Sequence, residues 1–127
     1  MVRVLIVDDT QFIRASLRLM LERHDDIEIV GEADTGTKAV SMYQRLKPDV
    51  VTMDISMPSM DGIEAVRRII SADPNAKVCM ITSMGKEQVV KESILTGAKG
   101  FIVKPFYEDK VVDVLKKLAG KKEEKNT

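Results

Sequence analysis

The stretch Val4-Leu5-Ile6-Val7-Asp8-Asp9 decides how the rest of the chain is read. Four apolar residues in a row, without polar alternation, suit a strand covered on both faces, as in a parallel sheet. Two carboxylates follow immediately, where such a strand must end. Beyond them Ile13, Leu17, Met20 and Leu21 recur at helical spacing, with Arg14, Arg18 and Glu22 on the other side. Ile27 to Ala33 reads as a second strand, and its polar Glu28 and Glu32 predict an edge position. Ala39, Val40, Tyr43 and Leu46 mark a second helix, which Lys47-Pro48 should stop.

The alternation continues to the end. Val50 to Met53 is a strand, followed by a helix marked by Ile63, Val66, Ile69 and Ile70. Val78 to Ile81 is a strand, and Val89, Val90, Ile94 and Leu95 mark a helix closed by Gly97. Phe101-Ile102-Val103 is the last strand, and Val111, Val112, Leu115 and Leu118 mark the last helix. Five strand-then-helix units predict an α/β fold: a doubly wound, five-stranded parallel sheet with helices on both faces. The 127 residues are the size of one domain. Residues 1–119 form that domain, and the charged segment 120–127, which lacks an apolar anchor, is expected to fray.

Composition narrows the class. The chain is 44% hydrophobic and 31% charged, which suits a soluble globular protein and argues against disorder. Lysine plus arginine number 20, as do aspartate plus glutamate, so there is no bulk attraction to nucleic acid or anionic membrane. No apolar stretch approaches the ~20 residues needed to span a bilayer, and the start carries no cleavable signal pattern. Cys79 is the only cysteine, which rules out an internal disulfide; within Val78-Cys79-Met80-Ile81 it reads as a buried, inert thiol. A cytoplasmic monomer is expected.

Open α/β sheets bind ligands beyond the carboxyl ends of their strands, so the residues after each strand carry the functional reading. Asp8 and Asp9 follow the first strand, Asp54 follows the third, Thr82 ends the fourth and Lys104 follows the fifth. Three carboxylates gathered on one edge would repel one another. A hard divalent cation such as Mg²⁺ relieves that repulsion. Lys104 adds a point charge suited to a phosphoryl oxygen, and Thr82 a hydroxyl. Together these are the parts of a phosphoryl-transfer site with a carboxylate nucleophile.

Each residue alone has a simpler explanation. Asp9 or Thr10 could cap the first helix. Asp54 could be a turn residue before Met57-Pro58, Asp61-Gly62 is turn and helix-start chemistry, and Lys104-Pro105 alone marks a loop. Their placement at successive strand ends argues for the joint reading.

Four blocks carry a family resemblance: Val4 to Asp9, Met53-Asp54-Ile55-Ser56-Met57-Pro58-Ser59-Met60-Asp61-Gly62, Thr82-Ser83, and Phe101 to Phe106. In this order they resemble the response-regulator receiver family, and within it the CheY-type chemotaxis regulators. The resemblance implies the flavodoxin-like strand order 2-1-3-4-5, known for flavodoxin and CheY. It also implies that Asp54 accepts a phosphoryl group from a phosphohistidine on a CheA-like sensor histidine kinase. Asp9, Asp54 and the backbone carbonyl of Ser56 would bind Mg²⁺, with Asp8 assisting through water. Lys104 would hold a phosphoryl oxygen, and Lys104-Pro105 would be cis. Thr82 and Phe101 would form the switch: the threonine hydroxyl moves to the phosphoryl group, and the ring turns into the space vacated. The fourth helix, fifth strand and fifth helix would then present an altered face to a flagellar motor switch protein or another downstream protein, and a phosphatase would reset the system.

Two departures stand out. Phe101 occupies a position where chemotaxis members often carry tyrosine. Ser56 and Met84, two residues beyond Asp54 and Thr82, replace the polar residues found in some relatives, and Met84 is expected to shield the acyl phosphate from water. Met53, Met57, Met60, Met80 and Met84 read as flexible core filling. His24, at the end of the first helix, suits the helix dipole and receives no catalytic role.

A phosphorelay intermediate, or the isolated receiver of a longer transcriptional or methylesterase regulator, would use the same acceptor. An aspartyl-phosphate phosphatase would place a second aspartate where Ser56 stands, so the chain reads as a switch rather than an enzyme. A flavin carrier would need backbone donors in the first turn, and Asp8-Asp9-Thr10-Gln11 is acidic.

Overall fold

The computed structural model describes residues 1–120; the expected fraying of 120–127 therefore falls, apart from Gly120, outside the described residues. Strands and helices alternate as β1 (Val2–Val7), α1 (Gln11–Leu21), β2 (Ile27–Ala33), α2 (Gly36–Leu46), β3 (Val50–Met53), α3 (Gly62–Ala72), β4 (Val78–Thr82), α4 (Glu87–Thr96), β5 (Gly100–Val103) and α5 (Glu108–Ala119). The sheet runs β2-β1-β3-β4-β5 with every pairing parallel. β2 is an edge strand, as its glutamates predicted. The fold is the three-layer sandwich expected from the alternation, in the flavodoxin-like strand order that the resemblance implied.

Strand alternation divides the interior into two cores. Leu5, Val7, Val51, Met53, Val78 and Met80 face one side and pack with α2 and α3 through Ala39, Tyr43, Ile63, Val66 and Ile69. Val4, Ile6, Val50, Cys79, Ile81 and Ile102 face the other, against Leu17 and Leu21 of α1 and Val111, Val112 and Leu115 of α5. Each fully buried Leu, Ile or Val contributes about 1.5–3 kcal/mol. Cys79 is buried as expected, and burial pushes its thiol up to about 12.

Three differences from the sequence reading have physical causes. β1 begins at Val2, before the apolar run. The Arg3 amide donates to Asp49 Oδ2 (2.8 Å), while its guanidinium caps the end of α2 at Leu46 O and Lys47 O. Secondly, α4 buries its apolar residues only in part: Val89 packs half-buried against the core. Ser93 is its buried position, with the hydroxyl turned back to Val89 O, whereas Ile94 is 55% and Leu95 86% exposed. Thirdly, neither Asp9 nor Thr10 caps α1 through its side chain, although Thr10 holds the N-cap position. The simpler explanation of Asp9 is therefore not realised.

The functional edge follows from strand register. The chain winds from β1 to β2 on one side and returns to β3 on the other, so direction reverses between β1 and β3. Val7 pairs with Met53, and the Asp54 amide donates to Val7 O (3.0 Å), so Asp8 and Asp54 leave the sheet side by side. Thr82 pairs with Val103, and the Lys104 amide donates to Thr82 O (2.8 Å).

Candidate functional site

The topology brings Asp8, Asp9 and Asp54 together: one carboxylate oxygen from each lies within 4.8 Å of the others. Asp8 and Asp54 are buried, 1% and 6% exposed, while Asp9 faces solvent. Asp8 Oδ1 accepts from the Thr10 amide (2.9 Å) and Oδ2 from Lys104 Nζ (3.1 Å). The same ammonium lies 3.7 Å from Asp54 Oδ2. Burial raises the Asp54 pKa above the ordinary aspartate value, and the Asp8 charge raises it further; Lys104, the Thr82 hydroxyl and the Ile55 amide oppose that rise.

Three carboxylates against one ammonium leave two negative charges on a half-buried edge. Hard oxygen donors with that excess fit a divalent cation of the Mg²⁺ type, which favours a few carboxylates together with waters and phosphate oxygens. Soft or nitrogen ligands are absent from this cluster.

The loop after β3 is built tightly. The Gly62 amide donates to Ile55 O (2.7 Å), folding the chain back so that a Cβ on Gly62 would lie 2.0 Å from Asp54 O. Asp61 caps α3 by accepting from the Glu64 amide (2.9 Å), fulfilling the helix-start reading of Asp61-Gly62. Between them the Met60 amide reaches Pro58 O (2.7 Å) around Ser59, whose φ of 69° is left-handed. Ser56 is exposed in this loop.

The remaining expected residues fall on the same edge or beneath it. Thr82 is buried, and its Oγ1 accepts from the Met84 amide (3.3 Å). Phe101, paired in register with Met80, is half-buried against the α2–α3 core. Lys104-Pro105 is cis, as the resemblance implied. Met84 is exposed, whereas Met53 and Met80 are fully buried core residues. His24 lies away from this edge and pairs through Nε2 with Glu108 Oε2 (2.9 Å), joining the end of α1 to the start of α5.

The sequence reading missed one group beside the site. It placed Arg14 and Arg18 on the outer face of α1. Instead Arg14 NH1 donates to the Asp8 carbonyl (2.7 Å), and both arginines grip Glu32 on β2. A basic pair four residues apart and an acid on the predicted edge strand were visible in sequence. Only the α1–β2 packing shows that they meet.

The fold, the acidic edge and the lysine define a phosphoryl-accepting signalling module. Residues 4–116 match the response regulator receiver domain, and the chain belongs to that family. Within it, the chain is similar to the chemotaxis protein CheY of Listeria monocytogenes, with 47% identity over 119 residues, 94% of this chain and 99% of the relative. It is 49% identical to the chemotaxis protein CheY of Thermotoga maritima over 117 residues, 92% of this chain and 97% of that one. Among solved structures it resembles a chain of the CheX-CheY-BeF3-Mg²⁺ complex from Borrelia burgdorferi: TM-score 0.88, 40% identity, covering 92% of this chain and 88% of that one. The protein is thus a receiver-domain response regulator, a signalling switch closely related to CheY-type chemotaxis regulators. No helix among the described residues is long and apolar enough to cross a membrane.

Proposed function

We propose that Asp54 accepts a phosphoryl group from the phosphohistidine of a sensor histidine kinase, CheA-like in a chemotaxis pathway. The observation that carries this reading is the placement of Asp54. It is buried, yet its nearest charged neighbours are two further carboxylates and a lysine shared with Asp8, an environment poorly suited to a purely structural carboxylate. A carboxylate oxygen of Asp54 attacks phosphorus in line as the phosphorus–nitrogen bond breaks, its electron pair returning to the imidazole. Asp9, Asp54 and the Ser56 carbonyl would hold a Mg²⁺ ion, with Asp8 assisting, and the ion would supply charge neutralisation for the phosphoryl oxygens.

Lys104 then exchanges its bond to Asp8 for one to a phosphoryl oxygen. The Thr82 hydroxyl donates to another, and the Phe101 ring follows into the space released. Phosphate thereby biases a two-state equilibrium through differential contacts. The output face comprises α4, β5 and the start of α5, where Ile94, Leu95, Val103 and Tyr107 are exposed. A flagellar motor switch protein is the proposed receiver of the signal. On the other side of the site, a cleft of about 490 Å³ lined by Phe12, Ile13, Met20, Pro105 and Phe106 opens beside Lys104, and a donor protein would cross it. The Borrelia relative was solved together with a second protein, CheX. A phosphatase partner completes the cycle proposed for this chain. The switch acts as a monomer in the cytoplasm, with residues 1–119 as the receiver.

The test is incubation with acetyl phosphate and Mg²⁺ followed by intact mass measurement. One added phosphoryl group, absent in Asp54→Asn and in EDTA, is expected; no addition under conditions that preserve acyl phosphates would refute the chemistry. For the output, the phosphorylated protein is titrated with motor-switch peptide, and equal affinity with and without phosphate would remove the motor from the reading.

A further inference from the structure

We propose that Arg14 is a positioning residue for the cation site, acting through the peptide plane that joins Asp8 to Asp9. The inference rests on the Mg²⁺ site proposed above. β1 ends at Val7, so the Asp8 carbonyl is the first on this strand to leave the sheet. The rest of Asp8 is already held: its amide donates to Ala33 O (3.1 Å), and its two carboxylate oxygens accept from the Thr10 amide and from Lys104. The carbonyl is bound instead by Arg14 NH1 (2.7 Å). Because the peptide unit is planar, fixing that oxygen also fixes the amide nitrogen and Cα of Asp9.

Asp9 needs this help. It is exposed, and among the described residues its carboxylate accepts only a long hydrogen bond, 3.4 Å from the Thr10 hydroxyl. Its carboxylate nevertheless has to converge with those of Asp8 and Asp54. Arg14 is itself anchored, its side chain 17% exposed and its Nε 3.2 Å from Glu32 Oε1. Arg18 Nε holds the other Glu32 oxygen at 2.6 Å. The planar guanidinium serves two acceptors in fixed directions, which an ammonium cannot do. The acidic loop is thus tied to the edge strand β2 as well as to its own turn.

The sign of the effect separates positioning from simple charge. Removing a cation near a Mg²⁺ site should, by relief of Coulomb repulsion alone, tighten metal binding. Loss of positioning weakens it, and outer-shell substitutions cost on the order of tenfold or more in metal affinity. The experiment is Mg²⁺ titration of the full chain by calorimetry, with urea unfolding alongside, for wild type, Arg14→Met and Arg18→Ala. Methionine keeps the apolar stem and removes the fork; Arg18→Ala breaks the Glu32 clamp without touching Asp8.

Arg14→Met is expected to bind Mg²⁺ about tenfold more weakly, and Arg18→Ala to weaken binding by clearly less, because Glu32 still holds Arg14 Nε. Unchanged or tighter binding by Arg14→Met would overturn the inference, as would equal weakening by Arg18→Ala. Should Arg14→Met not fold, Arg14→Lys carries the test: its point charge is drawn to Glu32, the Asp8 carbonyl is released, and weaker binding at unchanged net charge is expected. Wild-type affinity in that variant would equally overturn it. Failure of wild type itself to bind Mg²⁺ would defeat the cation site, an outcome distinguishable from failure of the Arg14 inference alone.

Discussion

Lys104 Nζ donates to Asp8 Oδ2 at 3.1 Å, although 96 residues separate the two in sequence. It stands 3.7 Å from Asp54 Oδ2, so without phosphate the ammonium serves Asp8 first. Its charge occupies the edge that a divalent cation would share, and the two compete electrostatically. Lys104→Met is therefore expected to tighten Mg²⁺ binding, by roughly fivefold, about 1 kcal/mol. Calorimetric titration at mildly alkaline pH checks this. The same variant should lose the phosphate-dependent gain in partner affinity, because no ammonium remains to follow the phosphoryl group. Weaker Mg²⁺ binding would show that Lys104 organises the carboxylates rather than opposing the metal.

The stability of Asp54→Asn should depend on pH in a defined sense. Burial, followed by the Asp8 charge, raises the Asp54 pKa above its unfolded value. The folded state therefore holds this proton more tightly than the unfolded chain, and the associated stability is lost as pH rises through the folded pKa. Asparagine never carries the charge. In EDTA at neutral pH the variant should unfold at higher urea than wild type, and the difference should shrink as pH falls below the ordinary aspartate range. Added Mg²⁺ should stabilise wild type more than the variant. Urea titrations across pH, with and without the metal, test both statements.

The β3–α3 loop predicts opposite outcomes for two neighbouring substitutions. A Cβ at Gly62 would stand 2.0 Å from Asp54 O, against backbone that cannot swing aside. Gly62→Ala should destabilise by about 3 kcal/mol and displace the peptide unit carrying the acceptor. Ser59 has φ of 69° and centres the tight turn between Pro58 and Met60. Ser59→Gly should stabilise by about 1 kcal/mol through relief of left-handed strain. Thermal unfolding of the two variants gives the comparison.

Thr52 offers a test of the core. Its hydroxyl is buried in the middle of β3 with no hydrogen-bond partner among the described residues, beside Cys79 in register. Valine has nearly the same shape and no polar atom to desolvate. Thr52→Val should raise stability by about 1 kcal/mol and leave Mg²⁺ affinity unchanged, as read by urea unfolding and calorimetry.

Much of this was legible in the chain itself. Uninterrupted runs such as Val50-Val51 announce strands buried on both faces, and the polar residues after them announce the edge where ligands bind. Other features depend on three-dimensional neighbours. Ile94 and Leu95 have the spacing of an inward face, but the smaller Ser93 packs inward and leaves them in solvent. Arg14 reads as a surface arginine until α1 is laid against β2. The pairing of Val7 with Met53, which sets Asp8 beside Asp54, depends on strand order, and apolar periodicity does not encode that order.

The central claim is that Asp54, rather than Asp8 or Asp9, carries the phosphoryl group. Borohydride reduces an acyl phosphate and converts the modified aspartate to homoserine, so the acceptor can be located by peptide mass spectrometry. After treatment with acetyl phosphate and Mg²⁺, homoserine is predicted at position 54 alone, and at no position in the EDTA control. Homoserine at position 8 or 9, or an unreduced Asp54 in a protein that has gained phosphoryl mass, would contradict the account.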